Sequence, residues 1–247
     1  KRVPGRPEGL RGNKLELKTL FVHCLSQHLN DLIKVVEAAG LNIDEVVAAP
    51  LASSIAVLTP TQKAAGCTLA NIGSQTTSLI TYEDGEPIAV QVLPIGSNDI
   101  TNDIALGLRL SLDEAERIKL DPMTALHVKR KLDEIIEARV IDMFELIDGH
   151  LKKIGRSGLL PAGIIITGGG ANIIDLESLA KETLRLPAKI FNSLEDNRLR
   201  SQLRDQSWAV AYGLCLRGLE TEREDSWQAK LNQAWKRFIN WFKDFWP

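Results

Sequence analysis

Two glycine-containing turns and one charged pair are the residues whose types and spacing could do chemistry. The first turn, Gly73-Ser74-Gln75-Thr76-Thr77, joins two strand-like stretches and would offer backbone amides and hydroxyls to a phosphate. The second, Gly168-Gly169-Gly170, follows the apolar run Ile164-Ile165-Ile166-Thr167 and feeds a helix. Glycine has no Cβ, so bare backbone there can approach a ligand. Either turn alone is also what a tight connection without a ligand looks like. Between them, Glu116 and Lys119 stand three residues apart on one helix face, where a carboxylate and an ammonium could grip ribose hydroxyls. The alternative for that pair is a solvent-exposed ion pair worth roughly 0.2–0.5 kcal/mol.

A different chemistry is written in the tail. Ser226 to Pro247 holds four of the five tryptophans and seven of the thirteen aromatic residues. On a helix, Trp227, Leu231, Trp235, Phe238, Phe242, Phe245 and Trp246 follow at steps of mostly three or four and share one stripe. Lys230, Lys236, Arg237 and Lys243 stand against a single acid, Asp244. An aromatic face beside a basic face is the composition of a helix lying in the headgroup boundary of an anionic membrane, too short and charged to span it. The other reading is a terminal helix docked on its own domain or on a partner.

The remaining candidates are bland. His23, His28, His127 and His150 have no metal-ligand spacing, and core or surface roles suit them. Cys24, Cys67 and Cys215 are far apart, fitting reduced thiols. Asp99, Asp103, Asp113, Glu114 and Glu116 cluster near helix starts, where capping explains most of them. A net charge of −2 gives no pull toward nucleic acid, which is excluded as a partner. No run of eighteen apolar residues threads the chain through a bilayer.

The elements that must position these residues alternate between strand and helix, an α/β pattern. Strands are expected over 14–18 continuing through 20–22, and over 42–47, 68–72, 78–82, 88–93, 164–167 and 187–191, with Asp84-Gly85 as a hairpin turn. Helices are expected over 26–39 with a Gly40 stop, 51–58 with a break at Thr59-Pro60, 97–108, 112–120, 126–154 with an interruption near Gly149, 175–184 and 207–219. Ser111 and Glu114 have capping-box spacing.

Four stretches in this order carry a resemblance: Leu69-Ala70-Asn71-Ile72-Gly73-Ser74-Gln75-Thr76-Thr77, Ile95-Gly96 with Thr101-Asn102-Asp103-Ile104-Ala105, Ala115-Glu116-Arg117-Ile118-Lys119, and Ile164-Ile165-Ile166-Thr167-Gly168-Gly169-Gly170-Ala171. The chain resembles the actin-like ATPase superfamily and, within it, the bacterial cell-division FtsA family. Pro7-Glu8-Gly9-Leu10-Arg11-Gly12, Ala38-Ala39-Gly40-Leu41 with Pro50-Leu51-Ala52-Ser53-Ser54, and Ile135-Ile136-Glu137-Ala138-Arg139 sharpen that resemblance, and the tail completes it.

The resemblance implies an actin-like, ribonuclease H-like mixed sheet with flanking helices. Residues 1–47 would be the remainder of a small inserted α/β subdomain. Residues 48–219 would be the second actin-like half, with a reduced, helical second small subdomain near 97–158. A linker at 220–225 and a membrane-targeting helix at 226–247 would follow. It implies a scaffold and not an enzyme, at the cytoplasmic face of the cell membrane at the division site. Such a scaffold self-associates into filaments, ties the FtsZ C-terminal tail to an anionic membrane surface and recruits other division proteins. Gly73, Ser74, Gln75, Thr76 and Thr77 match the second phosphate loop, Gly168, Gly169 and Gly170 the adenosine-side turn, and Glu116 and Lys119 the ribose side of an ATP site. Arg139 and Asp142 match a helix that receives FtsZ.

The family pattern has Asp, Gly-Gly and Asp where this chain has Asn71, Ser74-Gln75 and Ser78. Weakened ATP binding, little hold on Mg²⁺ and little hydrolysis are therefore expected. The resemblance also places Lys1 inside the inserted subdomain, so the first actin-like half is expected to be absent from this sequence. The strands of the second small subdomain are expected to be missing near Pro122-Met123. The alternatives are a sugar-kinase-like or chaperone-like ATPase and an FtsA-like pilus-assembly adaptor.

Overall fold

The computed structural model describes Glu16, residues 19–191 and residues 205–220. Its centre is a five-stranded sheet in the order β3-β2-β1-β4-β5. The strands are β1 (Cys67–Ile72), β2 (Thr77–Glu83), β3 (Glu86–Leu93), β4 (Ile164–Thr167) and β5 (Ala188–Ile190). The first three form an antiparallel meander, and Asp84 and Gly85 take the positive φ that the tight β2–β3 turn needs. The β4 strand then returns parallel to β1, with Asn71 opposite Thr167.

Alternation of side chains sorts the sheet's residues onto two faces. Ala70, Ile72, Leu79, Ile164 and Ile166 join one core, covered by α4 (Ser97–Leu108), α5 (Leu112–Leu120), α6 (Lys129–Lys153) and α7 (Leu176–Leu184). Leu69, Ile80, Tyr82 and Ile165 join the other, beneath α2 (Ala49–Val57) and a helix over residues 209–220, α8. Full burial of a side chain such as Phe144 contributes about 1.5–3 kcal/mol. A Cβ on Gly213 of α8 would overlap the Ala52 carbonyl, so glycine lets α8 settle on α2.

Most expected elements are present, and four differ. Residues 42–47 form no strand: they run as coil, with Glu45 paired to Arg217 of α8 at 3.2 Å, and no described strand supplies a ladder for them. Residues 20–22 likewise carry no pairing, and Phe21 is 83% exposed. A strand needs a neighbour, which local propensity cannot provide. Gly149 does not interrupt α6, because Ile147, His150 and Leu151 anchor the helix on both sides of it and the glycine faces open space. The expected start of that helix at Leu126 falls in a 3₁₀ turn, Pro122–Val128, which joins α5 to α6.

Thr59-Pro60 does end α2, but it also begins α3 (Pro60–Ala65) through a capping box with Gln62. The helix α1 (Ser26–Ala38) forms as expected and buries none of its residues. Apart from Glu16, the strand expected at 14–18 lies outside the described residues. So does the tail with Trp227, Leu231, Trp235, Phe238, Phe242, Phe245 and Trp246.

Candidate functional site

Parallel pairing of β1 with β4 brings the two glycine turns together. Both leave the carboxyl ends of adjacent strands, the place where open α/β sheets leave a crevice for ligands. The turns nevertheless differ in what glycine does. Gly168 has φ +94°, and a Cβ there would overlap Asn71 Oδ1 and the Ile72 carbonyl. A Cβ on Gly170 would lie 2.5 Å from Ile72 Cγ2. These two glycines therefore serve close packing of the turn on β1. Only Gly169, exposed and with nothing within 4 Å of its Cβ position, has the open backbone that the three glycines together suggested.

The first turn rests on the amino end of α4. Gly73 N–H closes it on the Thr76 carbonyl at 2.9 Å. Ser97 N–H and Asn98 N–H donate to the carbonyls of Gly73 and Ser74 at 2.9 and 2.8 Å. Thr77 is buried and its hydroxyl donates to the Ile95 carbonyl at 2.8 Å, whereas Ser74, Gln75 and Thr76 are exposed. Gly96, whose Cβ would stand 2.5 Å from the Ser74 carbonyl, is glycine because this joint is tight; its N–H donates to Asp99 Oδ2 at 2.8 Å.

Glu116 and Lys119 belong to the same rim. Lys119 Nζ lies 2.7 Å from Glu116 Oε2 and donates to Thr101 Oγ1 at 2.8 Å and to the Ser97 carbonyl at 3.2 Å. Thr101 Oγ1 donates to the same Glu116 oxygen at 2.6 Å. The lysine side chain is only 9% exposed and the glutamate 42%, so this is an inward-facing network binding α5 to the first turn of α4 and not an exposed ion pair. Burial alone would raise the Glu116 pKa; the bonds from Lys119 and Thr101 outweigh it and hold the carboxyl below the usual glutamate range.

Arg139 and Asp142 sit together on α6, facing α4. Arg139 grips Asp103 of α4 with two bonds, Nε to Oδ2 at 2.5 Å and Nη2 to Oδ1 at 3.0 Å, and holds Asp142 more loosely at 3.5 Å. The Asp103 bond, opposed by partial burial, keeps the guanidinium proton more firmly than usual. Sequence reading missed Ser97 and Thr101 as partners of Lys119, and Asp103 as the partner of Arg139. A legible signal was the Gly96-x-x-Asp99 cap, which marks the α4 start where the loop docks.

A mixed sheet with an antiparallel meander, a parallel return and helices on both faces defines the actin-like class. A chain of MreB5 from Spiroplasma citri, solved bound to AMPPNP, superposes with a TM-score of 0.65 at 15% identity, covering 82% of this chain and 68% of that one. The PilM–PilN type IV pilus biogenesis complex gives 0.62 at 25% identity, over 77% of this chain and 57% of that one. The family is narrower than the fold. The family model described as cell division protein FtsA matches residues 68–213, and this chain belongs to that family. Cell division protein FtsA of Pseudomonas aeruginosa is 29% identical over 240 residues, covering 88% of this chain. The chain spans 58% of that relative's length.

Proposed function

We propose that this chain acts as a membrane-attached cell-division scaffold and not as an enzyme. The observation that carries the reading is the cross-strand pair Asn71 and Ser78, which face each other in the β1–β2 ladder beside the first glycine turn. Both positions carry neutral side chains where phosphoryl transfer would need a carboxylate to hold magnesium or to orient water. Any ATP held between Gly73–Thr77, Glu116, Lys119 and Gly168–Gly170 would then be bound weakly and serve as structure, not as fuel.

The working parts of the scaffold would be the tail and the helical side of the fold. Seven aromatic side chains, each contributing about 1.5–3 kcal/mol if fully buried, exceed what a reversible anchor needs even when partial insertion is allowed for. The tail would hold the protein at the cytoplasmic face of the membrane at the division site. The α6 face near Arg139 and Asp142 would receive the FtsZ tail. Filament contacts and the recruitment of other division proteins would use the remaining surface.

The test is co-sedimentation with vesicles containing anionic lipid, comparing the full chain with one ending at Asp225. The full chain pellets and the shortened chain stays in solution; equal pelleting overturns the anchor. Phosphate release from ATP stays at the buffer rate, whereas turnover abolished by Gly169→Asp would restore the enzyme reading.

A second reading, a pilus-assembly adaptor, is favoured by one observation, the 25% identity to the PilM–PilN complex. Binding of an FtsZ C-terminal peptide that is lost in Arg139→Glu separates the two in favour of division. Because Arg139 also ties α6 to Asp103, the variant's thermal melt is compared with the parent's before its binding is read.

A further inference from the structure

We propose that, away from a membrane, the tail folds back over the outer face of α8, so that the side chains of the anchor are stored on the protein's own surface until lipid releases them. Only the release step rests on the reading above; the docking stands on α8 itself. That helix is apolar on both sides. Its inner face packs Ala209, Tyr212 and Leu216 into the second core and sets Gly213 against Ala52. Its outer face begins with Trp208, in the 3₁₀ turn leading into it, and continues with Ala211, Leu214, Cys215 and Leu219. All five are exposed, Trp208 by 62% and Leu219 by 57%. The one charge between Trp208 and Leu219 is Arg217, which is paired with Glu45. A helix that is apolar all round is normally buried on both sides, and an exposed apolar stripe marks a contact surface.

The chain itself supplies the occupant. Seven residues, 220–226, separate Leu219 from Trp227, the first member of the tail's apolar stripe. Fully extended they reach about 23 Å, more than twice the roughly 8–10 Å between packed helix axes. Connections of about two to eight residues are ordinary between antiparallel helices. A tether this short presents the tail to α8 at an effective concentration on the order of millimolar, far above that of any partner in solution.

The two stripes also share a register. Read from Trp208, the outer stripe of α8 advances by three, four and four residues to Ala211, Cys215 and Leu219. Read backwards from Phe238, the tail retreats by three, four and four to Trp235, Leu231 and Trp227. An antiparallel pairing therefore sets Trp208 against Phe238, Ala211 against Trp235, Cys215 against Leu231 and Leu219 against Trp227. The small side chains of Ala211 and Cys215 then face large ones, as interdigitated packing requires. Phe242, Phe245 and Trp246 run off the stripe and are left to meet lipid first. Docking and insertion exclude each other, because both bury Trp227, Leu231, Trp235 and Phe238.

The test uses Cys215, exposed on the outer face, as the reporter. In the full chain carrying Cys24→Ser, the substitution Leu231→Cys puts a second thiol opposite it. Cys67 stays out of the exchange, because it is buried and burial pushes its thiol up to about 11. Oxidation with diamide is expected to join Cys215 to the introduced thiol within one chain, read by intact mass and a non-reducing gel. Vesicles containing anionic lipid should cut the yield several-fold. Gln233→Cys, on the opposite side of a tail helix, should give several-fold less of the bond. Equal yields from the two variants, no bond within the chain, or a bond between two chains that marks a second copy on α8, each overturns the docking. A yield that vesicles leave unchanged in a chain that pellets with them overturns the release. A bond formed in a chain that does not pellet overturns the anchor reading and leaves the docking standing. Trp208→Ser, at an exposed side chain, adds a second readout: the lipid concentration for half-pelleting falls by about three-fold or more as the docked state is lost. An unchanged or raised lipid requirement overturns the proposal.

Discussion

The two glycine turns lie side by side at one end of the sheet, yet they are constrained in opposite ways. At Gly168 and Gly170 the backbone is pressed against Asn71 and Ile72, and any side chain would collide. At Gly73 to Thr76 the loop stands clear of the core, held by carbonyls that accept from the amino end of α4, and its middle side chains Ser74 and Gln75 point to solvent. The packed turn must keep Gly168 and Gly170 whether or not a ligand binds, because both are pressed against β1. The open turn has no such duty to the fold. Ser74 and Gln75 are exposed there, so the open turn, together with Gly169, is where a substitution reports on a ligand and not on packing.

That contrast can be broken by substitution. The largest effect is expected for Gly168→Ala, which adds left-handed strain to backbone overlap and should destabilise the protein by about 3 kcal/mol in urea unfolding. Gly170→Ala meets a side chain that can give way, so a loss of about 1–2 kcal/mol is expected in the same measurement. If Gly168→Ala unfolds at the parent's midpoint, the packing account of this turn fails. Lys119→Met removes the brace between α5 and α4, and about 1 kcal/mol should be lost.

The brace also has a pH signature. The folded Glu116 carboxyl titrates below its ordinary value, so its contribution is complete above about pH 4.3 and disappears as the pH falls through the lower folded pKa. The stability gap between the parent and Glu116→Gln should therefore close on acidification, and a gap that widened would reverse the assignment. The smallest effects belong to the open positions. Gly169→Ala and Gln75→Ala should each shift stability by less than about 0.5 kcal/mol, and a cost at Gly169 equal to that at Gly168 would erase the distinction drawn inside the second turn.

Much of the fold was legible because its signals are local. The β1 and β4 strands read directly from Thr68–Ile72 and Ile164–Thr167, the β2–β3 hairpin from Asp84-Gly85, and α5 from the Ser111–Glu114 capping box that the structure contains. Where reading failed, a local preference lacked a partner or was overridden by one. Residues 42–47 have strand-like types but meet α8 through Glu45 and Arg217. Gly149 resembles a stop but lies on the outer side of a helix pinned on either side of it. Of the site, the residue types were legible and their employment was not. Arg139 looked available to a partner, and it is bonded to Asp103, thirty-six residues earlier in the chain.

The sequence alone determined the α/β alternation, the two turns, the neutral residues at Asn71 and Ser78, and the crowding of aromatic residues in the tail. Each of these is a matter of residue type or of spacing within a few positions. Only the tertiary structure decided that the turns meet, that two of the three glycines at 168–170 serve packing, and that Lys119 faces inward. The reason is physical: strand pairing and helix packing join residues far apart in the chain, and whether an amide or an ammonium remains available to a ligand depends on which distant carbonyl or carboxylate reaches it first.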